Sequence, residues 1–190
     1  MAELKLDISI SLDGYVAGPN QNQKHPLGEG GERLHEWALP LAAWREPHGM
    51  EGGEVNASSE VVAESVAGRG ATIMGRNMFG GSGPWEENPW DGWWGEDPPF
   101  GMPVFVLTHH PREPLEMQGG TTFTFVTDGI ESALEQARAA AGAQDIALAG
   151  GADVCRQYLR AGLVDEMQLH LVPVILGGGE RLLAGLSAAL

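Results

Sequence analysis

The chain has 190 residues, 43% of them hydrophobic, and 26 Asp and Glu against 11 Lys and Arg give it a formal net charge of −15. That length fits one domain with a well-buried core, and the charge argues against nucleic acid or an anionic membrane as partner, since both need basic patches. No apolar run is long enough to span a bilayer, MAELKLDISI lacks a signal-peptide pattern, and the single cysteine, Cys155, excludes an intrachain disulfide framework and fits a reducing cytoplasm.

Residues 4–12, LKLDISISL, alternate without error. Leu4, Leu6, Ile8, Ile10 and Leu12 share one face, and Lys5, Asp7, Ser9 and Ser11 the other, which predicts a strand closed by the turn Asp13-Gly14. Residues 18–33 read as a polar loop. Leu34–Trp44 is a helix or an irregular apolar segment, with Pro40 against a continuous helix. Asn56 opens a helix whose stripe Val61, Val62, Ser65 and Val66 stops at Gly68. Three β-branched or aromatic runs, ATIM (71–74), PVFVLT (103–108) and TFTFVT (122–127), predict strands. Between the first two lies GPWEENPWDGWWGEDPPF (83–100), which puts four of the six tryptophans into loop composition. It is either a wall for a flat ligand or a lid packed on the domain. Then come a helix over Ile130–Ala141, a strand at Asp145–Ala149, a helix over Asp153–Ala161 and a long strand over Val164–Leu176. Alternation of this kind predicts a single α/β domain over 1–190, with a mostly parallel central sheet and helices on both faces.

In open α/β sheets, ligands bind beyond the carboxyl ends of the strands, where helix N-termini offer amide donors. The segments that follow the strands are Gly75-Arg76-Asn77, Thr108-His109-His110, Gly150-Gly151-Ala152-Asp153 and Gly177-Gly178-Gly179-Glu180. The pair Gly150-Gly151 either admits a phosphate against bare backbone or makes a tight βα turn. Arg76 either grips a phosphate with its planar fork or forms a surface ion pair. Neither a G-x-G-x-x-G fingerprint in a first βαβ unit nor a P-loop is present. His109 and His110 point to opposite faces of a strand and have no third ligand at a recognisable spacing, so no metal is expected. Glu166 and His170 are expected on the solvent side of a half-exposed strand.

Taken together, SISLDGYVAG (9–18), GATIMGRNMF (70–79), PVFVLTHHPRE (103–113) and residues 146–183 resemble the dihydrofolate-reductase superfamily. The nearer likeness is to the reductase domain at the C-terminus of bifunctional riboflavin-biosynthesis deaminase/reductases, in a stand-alone bacterial form. The resemblance implies a dihydrofolate-reductase-like fold, an NADPH site, a small-molecule substrate and a homodimer. It places Arg76, with Gly75 and Asn77, at the adenosine 2′-phosphate, and Thr108 and His109 beside the adenine ribose. Gly150 and Gly151 lie against the pyrophosphate and nicotinamide, Ala152, Asp153 and Val154 form the helix start beneath them, and Ala17 and Gly18 form a mobile loop at the nicotinamide. Asp13 stands at the cleft mouth with Ser9 and Ser11 on the substrate side, unless Asp13 only caps its turn. Glu60 takes the place of a proton-assisting carboxylate, or is an N-terminal helix carboxylate favoured by the dipole.

The sequence also departs from that family. Riboflavin-type reductases carry Glu before the paired glycines, where this chain has Ala149. Their substrate-phosphate segment is replaced here by FGGSGPWEENPWDGWW, which makes Trp85 a candidate substrate contact. The relatives continue past the GGGE loop into a final strand, whereas this sequence runs into GLSAAL, so either the gene is short there or a dimer partner covers the exposed edge. The expected activity is an NADPH-dependent reductase of the aminouracil type. Dihydropterin reduction and a non-catalytic NADPH or flat-ligand binder are the alternatives.

Overall fold

The strand that opens the chain lies inside the sheet. In the computed structural model, which describes residues 2–81 and 83–186, β1 (Leu4–Ser11) is paired in parallel with β7 (Asp145–Gly150) on one side and β8 (Glu166–Val172) on the other. The sheet continues from β7 to β3 (Arg69–Gly75), β4 (Pro103–Leu107), β6 (Thr122–Val126) and the short β5 (Leu115–Glu116). Its order is β5-β6-β4-β3-β7-β1-β8, and only the β5–β6 pair is antiparallel. The mostly parallel sheet and its helices agree with the expectation.

One face is the main core. Leu4, Leu6 and Ile10 of β1, Ile73 of β3, Phe105 of β4 and Ile146 and Leu148 of β7 pack against α4 (Ile130–Ala141) and α5 (Ala152–Arg160). Helix α4 buries Ile130, Ala133, Leu134, Ala137 and Ala141, spaced as one stripe of an amphipathic helix. The two helices are tied by Tyr158, fully buried, whose hydroxyl donates to the Ile130 carbonyl at 2.8 Å.

The opposite face is divided. Over β3, β4 and β6, Met74, Val104, Val106, Phe123 and Phe125 pack under Phe79 of α3 (Arg76–Phe79) and Trp85. Over β1 and β8 the side chains are polar, and a satellite cluster of Ala38, Leu41 and Val62, joined by Trp37, stands there. It links α1 (Ala42–Arg45) to α2 (Ala57–Val66), whose start is a capping box between Asn56 and Ser59.

Several expectations change. Leu12, assigned to the buried face of β1, is 56% exposed because the strand ends at Ser11 and the chain turns. The long last strand stops at Val172, since Pro173 lacks the N–H that a ladder needs. Residues 34–44 are mostly turns, with only Ala42–Arg45 α-helical. The short strand β5, and the two-stranded arm of β2 (Tyr15–Ala17) with β9 (Glu180–Arg181), gave no legible alternation. The GLSAAL segment lies largely outside the described residues. No helix among those described is long and apolar enough to cross a membrane.

The arm is anchored by Asp13. Its carboxylate accepts from the Ser11 hydroxyl at 2.7 Å and from the Leu176 and Gly177 amides at 3.1 and 2.7 Å. The Ser11 hydroxyl and then the two amides hold its pKa down at about 2, against 3.8 for a free side chain. A lowered folded-state pKa contributes stability that is complete above 3.8 and is lost as pH falls through 2. Urea midpoints of the native chain and Asp13→Asn, compared from pH 2 to 7, should therefore differ at neutral pH and converge in that acid window. A gap that stays constant with pH would remove the charged anchor from the account.

Candidate cofactor and substrate site

The carboxyl ends of β3, β4 and β7 bring the glycines together. Met74 is in register with Gly150, and Gly75 with Leu107, so Gly75, Thr108 and the Gly150-Gly151 peptide are neighbours. That peptide is cis, and Gly151 is the N-cap of α5. A Cβ on Gly75 would stand 2.7 Å from Val154 Cγ2 and 3.5 Å from the Gly151 nitrogen, so only glycine lets α5 begin this close to β3. A Cβ on Gly151, in contrast, would meet nothing within 4 Å. Bare backbone beside open space, at the start of a nine-residue helix, suits the close approach of an anion or a flat ring.

Arg76 leaves the end of β3 into the same region. Its three guanidinium nitrogens are shut off from solvent, and none has a hydrogen-bond partner among the described residues. The Trp85 ring lies 3.2 Å from the guanidinium carbon, and burial, with the like charge of Arg112 adding to it, pulls the Arg76 pKa down to about 10. Stacking on an indole returns roughly 0.5–2 kcal/mol, less than a buried cation loses when its water and hydrogen bonds are removed. The site is electrostatically short of an anion.

The tryptophan segment is a packed lid. Trp85, Trp90 and Trp93 donate their indole N–H groups to the carbonyls of His110, Phe79 and Met78 at 2.8, 2.9 and 2.8 Å. Trp94 stacks on Phe123. Arg112 fastens the segment to the end of β4, reaching the Trp90 carbonyl and the Asp91 carboxylate, both at 2.5 Å. Trp85 is only 6% exposed and edges onto Phe79 and Phe125, which corrects its assignment as a substrate contact: its faces are taken by Arg76 and the core.

The other expected residues divide. Ala152 and Val154 are buried at the start of α5, while Asp153, Asn77 and His109 are exposed at the rim. Thr108 is buried, its hydroxyl accepting from the His110 amide. Ala17 and Gly18 belong to the β2–β9 arm, where Ala17 pairs with Glu180 and the Gly18 amide donates to the Leu27 carbonyl at 2.8 Å. Ser11 donates to Asp13 and accepts from the Tyr15 amide, so its hydroxyl is committed internally. Asp13 is engaged by the Ser11 hydroxyl and two loop amides, which fits the turn-capping alternative of its reading. Glu60 is exposed on the first turn of α2, with no contact to the strand ends, so it is corrected to a helix-start carboxylate.

Sequence reasoning passed over one cluster. His170, expected toward solvent, has a side chain only 15% exposed, paired with Asp7 at 2.8 Å and tilted against Trp37, whose indole donates to Ser9. The signal was the unbroken polar face of β1. Cys155 is buried, its thiol pushed up to about 12 by burial, and takes no part. Among the described residues, no group of three or more His, Cys, Asp or Glu is placed to hold a metal.

Known proteins share the fold. A Shewanella sp. PV-4 protein described as a riboflavin biosynthesis protein superposes with a TM-score of 0.53 at 21% identity, over 96% of this chain and 82% of that one. A dihydrofolate reductase from Enterococcus faecalis, solved with NADP(H) and RAB-propyl, gives a TM-score of 0.49 at 13% identity, over 95% of this chain and 76% of that one. At such identities the Shewanella likeness speaks for the fold alone. No curated protein matches the chain. The RibD C-terminal domain family matches it over residues 2–189, nearly end to end, and the chain belongs to that family.

Proposed function

We propose that the protein is an NADPH-dependent reductase acting on a C=N or C=O carbon of a planar heterocycle or its ring-opened sugar amine. The observation that carries this reading is the buried Arg76 guanidinium, without a counter-charge, beside the open Gly150-Gly151 peptide. An anion of the 2′-phosphate type answers the charge deficit at Arg76. The α5 N-terminus and the Cβ-free peptide fit a pyrophosphate and a flat ring lying across the strand ends. When bound, the nicotinamide supplies a hydride. The chain's own tasks are to orient the acceptor carbon, exclude water and supply dry walls, and the lid held by Arg112 performs the last of these over β3, β4 and β6.

Cofactor choice gives the first test. Saturable quenching of tryptophan fluorescence by micromolar NADPH, with far weaker NADH binding, is the expected result, since Trp85 lies on Arg76. Arg76→Ala should weaken NADPH at least tenfold and leave NADH nearly unchanged; equal NADPH affinity in the variant overturns the 2′-phosphate assignment. A second test is geometric. Gly75→Ala drives a methyl group into Val154, so NADPH and NADH affinity should fall together while the chain still unfolds cooperatively. Finally, NADPH oxidation measured against aminouracil ribosides, dihydropterins and simple cyclic imines decides between enzyme and binder. NADPH binding without oxidation by any of them favours the binder.

A further inference from the structure

Between α5 and the β2–β9 arm lies an open pocket of about 540 Å³, a volume in the range of small-molecule sites. Arg156 and Arg160 of α5 and Arg181 of β9 line it together with Tyr15 of β2. These are three of the nine arginines in a chain with 26 acidic residues. Arg156 is held in place: its guanidinium donates to the Arg181 carbonyl and to Asp153 at 3.3 Å, with Glu180 4.0 Å away. Arg181 rests on Tyr15, its guanidinium carbon 4.6 Å from the ring centroid. Arg160 donates to the Ala184 carbonyl at 3.2 Å. Among the described residues, neither Arg160 nor Arg181 has a carboxylate within ion-pair distance.

Three physical points set this pocket apart from a structural strut. Arg156 alone joins α5 to the arm, and the pocket's two carboxylates, Asp153 and Glu180, are spent on it. Arg160 follows Arg156 by four residues, so α5 carries two like charges on one face, which disfavours a helix, and β9 adds a third cation. Three guanidiniums against two carboxylates make the pocket net positive in a chain with a net charge of −15. Second, each guanidinium has five N–H donors in a planar fork. Arg160 uses one of them, and the Arg181 fork, lying on Tyr15, makes no hydrogen bond among the described residues. Third, a Cβ on Gly185 would stand 3.0 Å from a terminal nitrogen of Arg160, so glycine keeps that edge of the fork open.

We infer that this pocket is a second ligand site, for a phosphate-type dianion held between the forks of Arg160 and Arg181, with Arg156 as the brace behind them. A phosphate presents three acceptor oxygens and can meet two forks at once, which a carboxylate cannot do as well. The group fills only part of the pocket, so it can be free phosphate or the phosphate of a small phosphomonoester. Arg181 belongs to β9, and Tyr15 lies opposite it on β2. A bound dianion therefore ties the arm to α5 and steadies the strand that carries Ala17. Of the residues expected at the cofactor, the pocket shares only Asp153. The inference goes beyond the reductase reading and stands without it.

The probes are inorganic phosphate and glycerol 3-phosphate, titrated into the full chain at about pH 7.5, where both are mostly dianions, and followed by the arginine Nε–H signals in NMR. Sodium chloride at matched ionic strength is the control for screening. The expected result is a saturable shift of the Arg160 and Arg181 signals, absent with chloride, and affinity at least tenfold lower when Arg160→Gln and Arg181→Gln are combined. The Leu182 amide, which donates to the Gly14 carbonyl across the arm, should exchange with solvent more slowly when the site is filled; unchanged exchange overturns the bracing of the arm. No saturation, equal shifts with chloride, shifts confined to other residues, or native affinity in the double variant each overturn the site. Displacement of the probes by NADPH assigns the anion to the cofactor's own site and overturns it as well. At least threefold tighter glycerol 3-phosphate supports the site with a phosphomonoester as its ligand, and equal affinity supports it with free phosphate. If the double variant does not fold, as its melting curve will show, the native signals and the chloride control still decide. A native chain that binds the phosphate probes but not NADPH keeps this site and brings down the reductase reading alone.

Discussion

Everything at the strand ends depends on how closely α5 approaches β3. Val154 rests where a side chain on Gly75 would have to be, and Gly151, also without a Cβ, begins the helix beside it. That contact sets the height at which the α5 amides meet the open space. It also fixes the neighbours of Arg76, which leaves β3 at the next residue. A chain with a formal net charge of −15 cannot attract an anion through its general field. It has to place a small number of donors at one spot, and bare backbone next to one buried guanidinium is such an arrangement.

The sheet face opposite α4 and α5 is divided along β3 and β7. One half is filled by aromatic rings packed mostly edge to face, among them Phe79 on Phe123, Phe125 and Trp85. The tryptophans that stand out in the sequence are used here, with three indole N–H groups ending on backbone carbonyls that α3 and the β4 loop would otherwise leave to solvent. The other half keeps its polar side chains and a single aromatic neighbour, Trp37. That half of the face is the less filled of the two.

Much of this was legible in the sequence and some was not, for physical reasons. Helix α4 was readable end to end because its apolar stripe has a period of 3.6 and its ends are glycines. The start of α2 was readable because Asn56 is a strong cap. Gly75-Arg76 and Gly150-Gly151 were legible as strand-end segments, and the structure brings them together. The short strands β2, β5 and β9 span two or three residues, too few for alternation to register. The position of β1 was hidden, since alternation is the mark of a half-exposed strand and β1 has a neighbour on each side. The pairing of Asp7 with His170 was hidden for the same reason, because nothing local links residues so far apart. The tryptophan segment misled in a different way, with loop composition surrounding side chains that pack as core.

The interior position of β1 also bears on how the protein is made. The strand leaves the ribosome well before its partners β7 and β8. Until residues 166–172 are available, Leu4, Leu6 and Ile10 have only part of their burial, and β1 is an unpaired edge of the sheet. Contacts this distant along the chain slow folding, because the closure entropy of a long loop precedes any gain. The β1 segment therefore has to wait, unpaired and apolar on one side, until β7 and β8 have been made. Its alternating Lys5, Asp7, Ser9 and Ser11 make that wait safer, since a strand polar on one face is a poor template for aggregation.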